Sequence, residues 1–202
     1  MLTRGAKRKA NSLDESSSYP SQIIIIRPGE KMKDKKGKDT AAARRAEYLK
    51  SFFTSSDNSF QIPNHIYTFK SGEGRIPSKG ELLMEPLAHE LGISINTTFR
   101  ENSDERELIT DIFTNCANQC VLICWDYEAV LSDLVPIIAS TISADFSAFK
   151  SWNWDPREYR DNNPDLYSLI VIIDPKIQIL KTANQDYQDS LPSHEFVSVM
   201  LP

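Results

Sequence analysis

The run Ile23-Ile24-Ile25-Ile26 constrains this chain more than any other segment. β-Branched side chains are stiff and suit a pleated strand, and four in a row leave no face for water. Such a strand needs a layer of structure above it and another below. The run breaks at Arg27-Pro28-Gly29-Glu30-Lys31, a charged turn containing glycine. The pattern predicts a buried parallel strand that delivers a functional loop at its carboxyl end.

The remaining pattern alternates strands with helices. Lys31 to Lys38 is a lysine-dense linker, read mainly as a solvated loop. Thr40 to Phe53 carries an apolar stripe of Ala41, Ala42, Ala43, Ala46, Leu49 and Phe52 or Phe53, with Asp39 or Thr40 as N-cap. His65 to Phe69 reads as a strand, and Ser78 to Leu91 as a helix closed by Gly92. Ile93 to Asn96 is a short extended piece. Ser103-Asp104-Glu105 caps a helix running to about Cys116. Cys120 to Trp125 is a buried strand followed by a helix to about Thr141. Tyr167 to Ile173 is a strand closed by Asp174-Pro175, with further strands at Lys176 to Lys181 and His194 to Val199. This order predicts an α/β three-layer sandwich with a mixed, mostly parallel central sheet and helices on both faces.

A chain of 202 residues suits one such domain with a tail. Residues 1–21 are polar and Ser-rich and read as a disordered tail, leaving 22–202 for the domain. Lys7, Arg8 and Lys9 in that tail form a basic patch, read first as solvated and second as a nuclear-import or anion-binding signal. A net charge of -5 disfavours nucleic acid as the main partner. No apolar run reaches the roughly 20 residues that span a bilayer, and the amino terminus has no signal-peptide core. A cytoplasmic protein is therefore expected, with a nuclear one as the alternative. Cys116, Cys120 and Cys124 lie four apart, but no histidine completes a zinc set and the last sits in an apolar strand. They are read as reduced structural thiols. No metal or cofactor is expected.

The turn after the first strand resembles the Arg-His-Gly-Glu-Lys signature of the histidine phosphatase superfamily, the phosphoglycerate-mutase-like fold. Two further segments are similar to that family. Ser78 to Gly92, with Glu85-Pro86-Leu87-Ala88-His89-Glu90-Leu91-Gly92, looks like its second helix. Val121-Leu122-Ile123-Cys124-Trp125-Asp126-Tyr127 looks like a later strand, which in one branch reads Val-Leu-Ile-Cys-Trp-Glu-His. Asp165 to Asp174 fits the same branch. The resemblance runs from about Gln22 to the end.

The resemblance implies a phosphate pocket of four groups, and the departures fall on it. The nucleophilic histidine's place is held by Pro28, which offers no nucleophilic atom, no acid–base group and no N–H. The second histidine's place falls on Tyr127, or on Asp126 in the neighbouring register. The second arginine's place falls at Lys79, with Arg75 upstream as a substitute; a lysine pairs with phosphate as a point charge, without the guanidinium fork. Arg27 alone survives. The anion-binding candidates are thus Arg27, Gly29, Glu30, Lys79 and Arg75, and no catalytic residue is assigned. Arg27 and Glu30 have a plainer reading as an ion pair or turn cap. The family's acid comes from mid-chain, where Glu101, Asp104 and Glu105 stand without a motif to choose among them. His65, His89 and His194 are not expected to replace the missing histidines. Trp152 and Trp154 are candidates for loop packing or a partner surface.

With both histidine positions empty, the expectation is a pseudophosphatase that binds a phosphate, a phosphorylated ligand or a protein partner. The first alternative is a phosphohydrolase with altered chemistry, in which Asp126 or a nearby carboxylate activates water while Arg27, Lys79 and Arg75 hold the phosphate. The second is a purely structural subunit. Oligomeric state is not legible in the sequence.

Overall fold

A computed structural model describes residues 18–28, 41–55, 60–70, 77–126, 129–145 and 169–184. The strands are β1 (Gln22–Ile26), β2 (His65–Thr68), β3 (Ile95–Asn96), β4 (Cys120–Cys124), β5 (Leu169–Asp174) and β6 (Ile179–Asn184). The helices are α1 (Ala41–Thr54), α2 (Lys79–Leu91), α3 (Glu105–Asn115) and α4 (Val135–Thr141), the last entered through a π turn, Val130–Leu134.

The six strands lie in the order β3-β2-β4-β1-β5-β6. β1 pairs parallel to β4, β4 to β2 and β2 to β3. β5 runs antiparallel to β1, and β6 antiparallel to β5. Five strands therefore point one way and β5 alone points back. The sheet is mixed and mostly parallel, with helices on both faces, as the sequence pattern predicts.

β1 is central, and Ile23 to Ile26 are all buried. Ile24 and Ile26 pack with Ala46, Leu49 and Phe53 of α1 and with Leu83, Met84 and Leu87 of α2. Ile23 and Ile25 pack on the other face with Leu108, Ile109 and Ile112 of α3 and with Leu134, Val135 and Ile138. Full burial of each isoleucine contributes about 1.5–3 kcal/mol. The packed structure starts before β1: Pro20 is buried, and Tyr19 meets Phe113 edge-on at 5.3 Å.

Helix α2 has both of its predicted ends. Ser78 Oγ accepts the N–H of Glu81, and Glu81 Oε2 accepts the N–H of Ser78, a reciprocal capping box. Gly92 takes φ 65°, the left-handed turn that ends a helix at lowest cost without a Cβ. Elsewhere the outcome differs from expectation. The last described strand begins at Ile179, not Lys176, because Asp174 Oδ1 accepts the N–H groups of Lys176 and Ile177 and folds them into a hairpin loop. The helix after β4 opens as a π turn, with an extra residue that a 3.6-residue period does not register. Asp39, residues 29–38, Trp152, Trp154 and the segment His194 to Val199 lie outside the described residues.

Among the described residues no helix is long and apolar enough to cross a membrane. The three cysteines are free and buried. Cys116 faces the α3 side, whereas Cys120 and Cys124 face the α1–α2 side.

Candidate functional site

The topology decides where a ligand can approach. β1 and β4 are parallel neighbours, yet the chain leaves β1 toward α1 on one face and leaves β4 toward α4 on the other. The chain after each strand therefore feeds an opposite layer of the sandwich. Open α/β sheets bind ligands at such a switch point.

Arg27 and Pro28 follow β1 directly at this edge, with Pro28 buried and Arg27 half-buried. Asp126 follows β4 at the same edge, one residue after Trp125, whose N–H donates to Ile26 O at 3.0 Å. Lys79 arrives from the side, as the first residue of α2. Gly80, the next residue, lets the helix start lie against the sheet. A Cβ on Gly80 would stand 3.2 Å from Thr68 Cβ and 3.3 Å from Cys124 O, tighter than ordinary contacts. Gly29, Glu30, Arg75 and Tyr127 lie outside the described residues.

Among the three mid-chain carboxyls, only Glu101 meets this site. Burial, and then the Asp126 carboxylate, push its carboxyl above the usual range, while Lys79 pulls the other way. Its surroundings thus include both the loop after β4 and the start of α2. Asp104 is spent on the local turn: its Oδ2 accepts the N–H of Arg100 at 3.0 Å, and its carboxyl is held low. Glu105 is buried, and its Oε1 accepts Trp125 Nε1–H at 3.2 Å and the N–H of Asn102 at 2.6 Å. That bond steadies the turn carrying Glu101, in which Asn102 takes φ 62°.

A residue not singled out by the sequence contacts the backbone of Arg27. Arg45 of α1 is 3% exposed, and its Nη2 donates to the carbonyl oxygen of Arg27 at 3.3 Å. Both guanidinium charges act on the thiol of Cys124 at the end of β4, drawing its pKa down against burial, which pushes it up to about 12. The signal was present: Ala42, Arg45, Ala46, Leu49 and Phe53 all fall on one helical stripe, so the arginine sits in the buried face.

The histidines stand elsewhere. His65 Nε2 hydrogen-bonds Gln119 Oε1 at the start of β2, and His89 is exposed near the end of α2. Neither is at the carboxyl edge that holds Arg27. Among the described residues no cluster of three metal-ligating side chains occurs. Chemically, the site offers guanidinium charge, an ammonium and two carboxylates, a set suited to holding an oxyanion and handling a proton. Compared with family models, with curated proteins and with solved structures, the chain matches none.

Proposed function

We propose that this chain is a histidine-phosphatase-like protein that keeps an anion-accepting cleft and lacks the phosphoenzyme step, acting by binding a phosphorylated ligand or partner. The observation that supports this reading is that Arg27 leaves β1 at the carboxyl edge beside the end of β4, with Pro28 buried next to it and Lys79 opening α2. Convergent positive charge at the carboxyl edge suits a phosphoryl group. A proline in the nucleophile's place suits binding without covalent chemistry.

A thermal-shift titration with inorganic phosphate tests it. A saturable rise in Tm that Arg27→Ala removes is the expected result, since a ligand selective for the folded state stabilises it by mass action. No rise with phosphate, sulfate or a phosphomonoester would falsify the reading and turn attention to a structural role.

A second reading rests on Glu101. A carboxyl that holds its proton to higher pH beside an ionisable Asp126 is an acid–base pair in the making. In a hydrolase of this kind Asp126 activates water, Glu101 protonates the leaving oxygen and no phosphoenzyme forms. Turnover of a phosphomonoester that depends on both Arg27 and Glu101 favours this reading over pure binding. Binding without turnover counts against it.

A further inference from the structure

Glu101, Asp104 and Glu105 stand close together in the chain, and two of these carboxyls are spent on holding the third. Asp104 Oδ2 accepts the N–H of Arg100 at 3.0 Å, and Glu105 Oε1 accepts the N–H of Asn102 at 2.6 Å. Arg100 and Asn102 are the residues immediately before and after Glu101. A further bond anchors the approach, since Lys70, beyond β2, donates its N–H to Phe99 O at 2.6 Å. Asn102 closes the turn at φ 62°, a left-handed conformation that asparagine tolerates.

Capping the start of α3 does not account for all of this. Glu105 is 7% exposed, and burying a carboxylate is costly unless its oxygens are bonded. Its Oε1 also accepts Trp125 Nε1–H at 3.2 Å, so one oxygen joins the Glu101 turn to the residue that precedes Asp126. Trp125 is itself fixed: it is fully buried, its N–H donates to Ile26 O at 3.0 Å, and its indole lies edge-on to Phe69 at 5.9 Å. Glu101 is therefore tied to the ends of β2 and β4 by bonds on both of its sides. The charged groups that face it come from three elements, Asp126 after β4, Lys79 of α2 and Glu105 of α3.

We propose that Asp104 and Glu105, with the Trp125 indole, are positioning residues that hold Glu101 at the carboxyl edge of the sheet, where its proton is within reach of a bound ligand. The proposal rests on the acid–base reading and deepens it by naming what keeps the acid in place. On that reading water adds to phosphorus and gives its proton to Asp126, the ester P–O bond breaks, and the leaving oxygen takes the proton of Glu101. Neither Asp104 nor Glu105 touches the ligand. They matter because a proton donor must stay within hydrogen-bond reach, and a misplacement of about 1 Å can cost on the order of 100-fold in rate.

The test follows the side-chain carboxyl ¹³C resonance of Glu101 against pH, assigned by its loss in Glu101→Gln. In the wild-type protein its midpoint is expected above the ordinary glutamate range, because burial and Asp126 oppose ionisation. Trp125→Phe keeps an aromatic ring and removes the indole donor to Glu105. Asp104→Ala removes the acceptor for the Arg100 N–H. Each should loosen the turn, admit water around Glu101 and bring its midpoint down toward the ordinary range. Phe69→Leu is the packing control. It takes contact away from the same indole and leaves the bond to Glu105, so Tm should fall while the Glu101 midpoint stays.

A lower Tm with no movement of the Glu101 midpoint in Trp125→Phe and Asp104→Ala overturns the proposal, since a role in stability alone gives that result. Movement in Phe69→Leu as large as in Trp125→Phe overturns it as well, because packing then does what the bonds are said to do. A wild-type midpoint in the ordinary glutamate range overturns the proposal and the acid–base reading together. A midpoint that responds to Trp125→Phe in a protein that turns over no phosphomonoester sinks that reading and leaves the positioning in place. If Trp125→Phe does not fold, Asp104→Ala still decides.

Discussion

At the carboxyl edge of the sheet the two faces differ in how completely their buried side-chain hydroxyls and indoles are bonded. On the α3 side two buried side chains meet a complement. Tyr67 Oη donates to Asp111 Oδ2 at 2.9 Å, and the Trp125 indole donates to Glu105 at 3.2 Å. On the α1–α2 side Arg45 donates to the carbonyl oxygen of Arg27 and Ser78 is engaged by Glu81, but Thr68 Oγ1 is buried with no hydrogen-bond partner among the described residues. A face that completes its hydrogen bonds from within is organised for stability. A face that leaves a buried hydroxyl unpaired gives up part of that stability.

That contrast can be broken by experiment. The largest effect belongs to Trp125, fully buried on the α3 side and stacked edge-on with Phe69 at 5.9 Å. Trp125→Ala should cost about 3–5 kcal/mol in urea unfolding, as large-to-small changes at buried aromatics do. A loss under about 1 kcal/mol would show that this face is not the structural one.

Next comes alkaline pH, which probes both faces. Burial pushes Cys120 and Cys124 from the ordinary 9.0 up to about 12, and raises Cys116 and Tyr67 as well. Raised acids keep protons in the folded state that the unfolded chain gives up. Their stabilisation is complete below about pH 9 and is lost as pH climbs toward 12. Each fully shifted thiol removes about 1.4 kcal/mol per pH unit in that window. Cys120→Ala should flatten the slope measured by urea midpoints between pH 9 and 11. An unchanged slope would mean that thiol ionises as easily folded as unfolded.

Glu105→Gln keeps the shape and removes the charge, and should cost about 1–2 kcal/mol by weakening the bonds to Trp125 and Asn102. Its phosphate increment in Tm should match wild type. A variant that keeps its stability but loses the increment would move Glu105 into the site and erase the contrast. The smallest effect is Ser78→Ala, about 1 kcal/mol from loss of the cap. Because Ser78 fixes the start of α2, a reduced phosphate increment should accompany it. An increment unchanged from wild type would place the anion away from that helix end.

Much of this architecture was legible. Ile23 to Ile26 could only be a strand covered on both faces, and Ser78 with Gly92 bracketed α2 because each carries a side-chain or backbone property that helix ends demand. Hairpin geometry was not. Asp174-Pro175 announced a turn, but its reach to Gln178, at φ 56°, depends on hydrogen bonds that composition does not encode. Within the site, Arg27, Lys79 and Asp126 were found because the resemblance pointed to them. Arg45 was passed over although its spacing on the apolar stripe marked it. Thr68 was hidden for another reason: threonine is so ordinary in strands that only the lack of a partner distinguishes it. Glu101 stood out from Asp104 and Glu105 only when the turn closed and each carboxyl acquired its neighbours.

The pairing of β1 has a consequence for how the chain comes to be made. Gln22 meets Cys120, and on its other side Ile23 meets Ile173. Among the described residues, both strands that pair with the most apolar strand therefore lie nearly a hundred residues or more after it in the chain. At synthesis rates of about 5–20 residues per second, the four isoleucines wait on the order of 5–20 s for β4 to emerge. Non-local pairing of this kind slows folding and leaves a sticky segment exposed in the meantime. The lysines from Lys31 to Lys38 and the basic residues Arg4 to Lys9 flank that segment on both sides, as charged gatekeepers do. A burden usually assigned to the finished surface is here carried by the nascent chain.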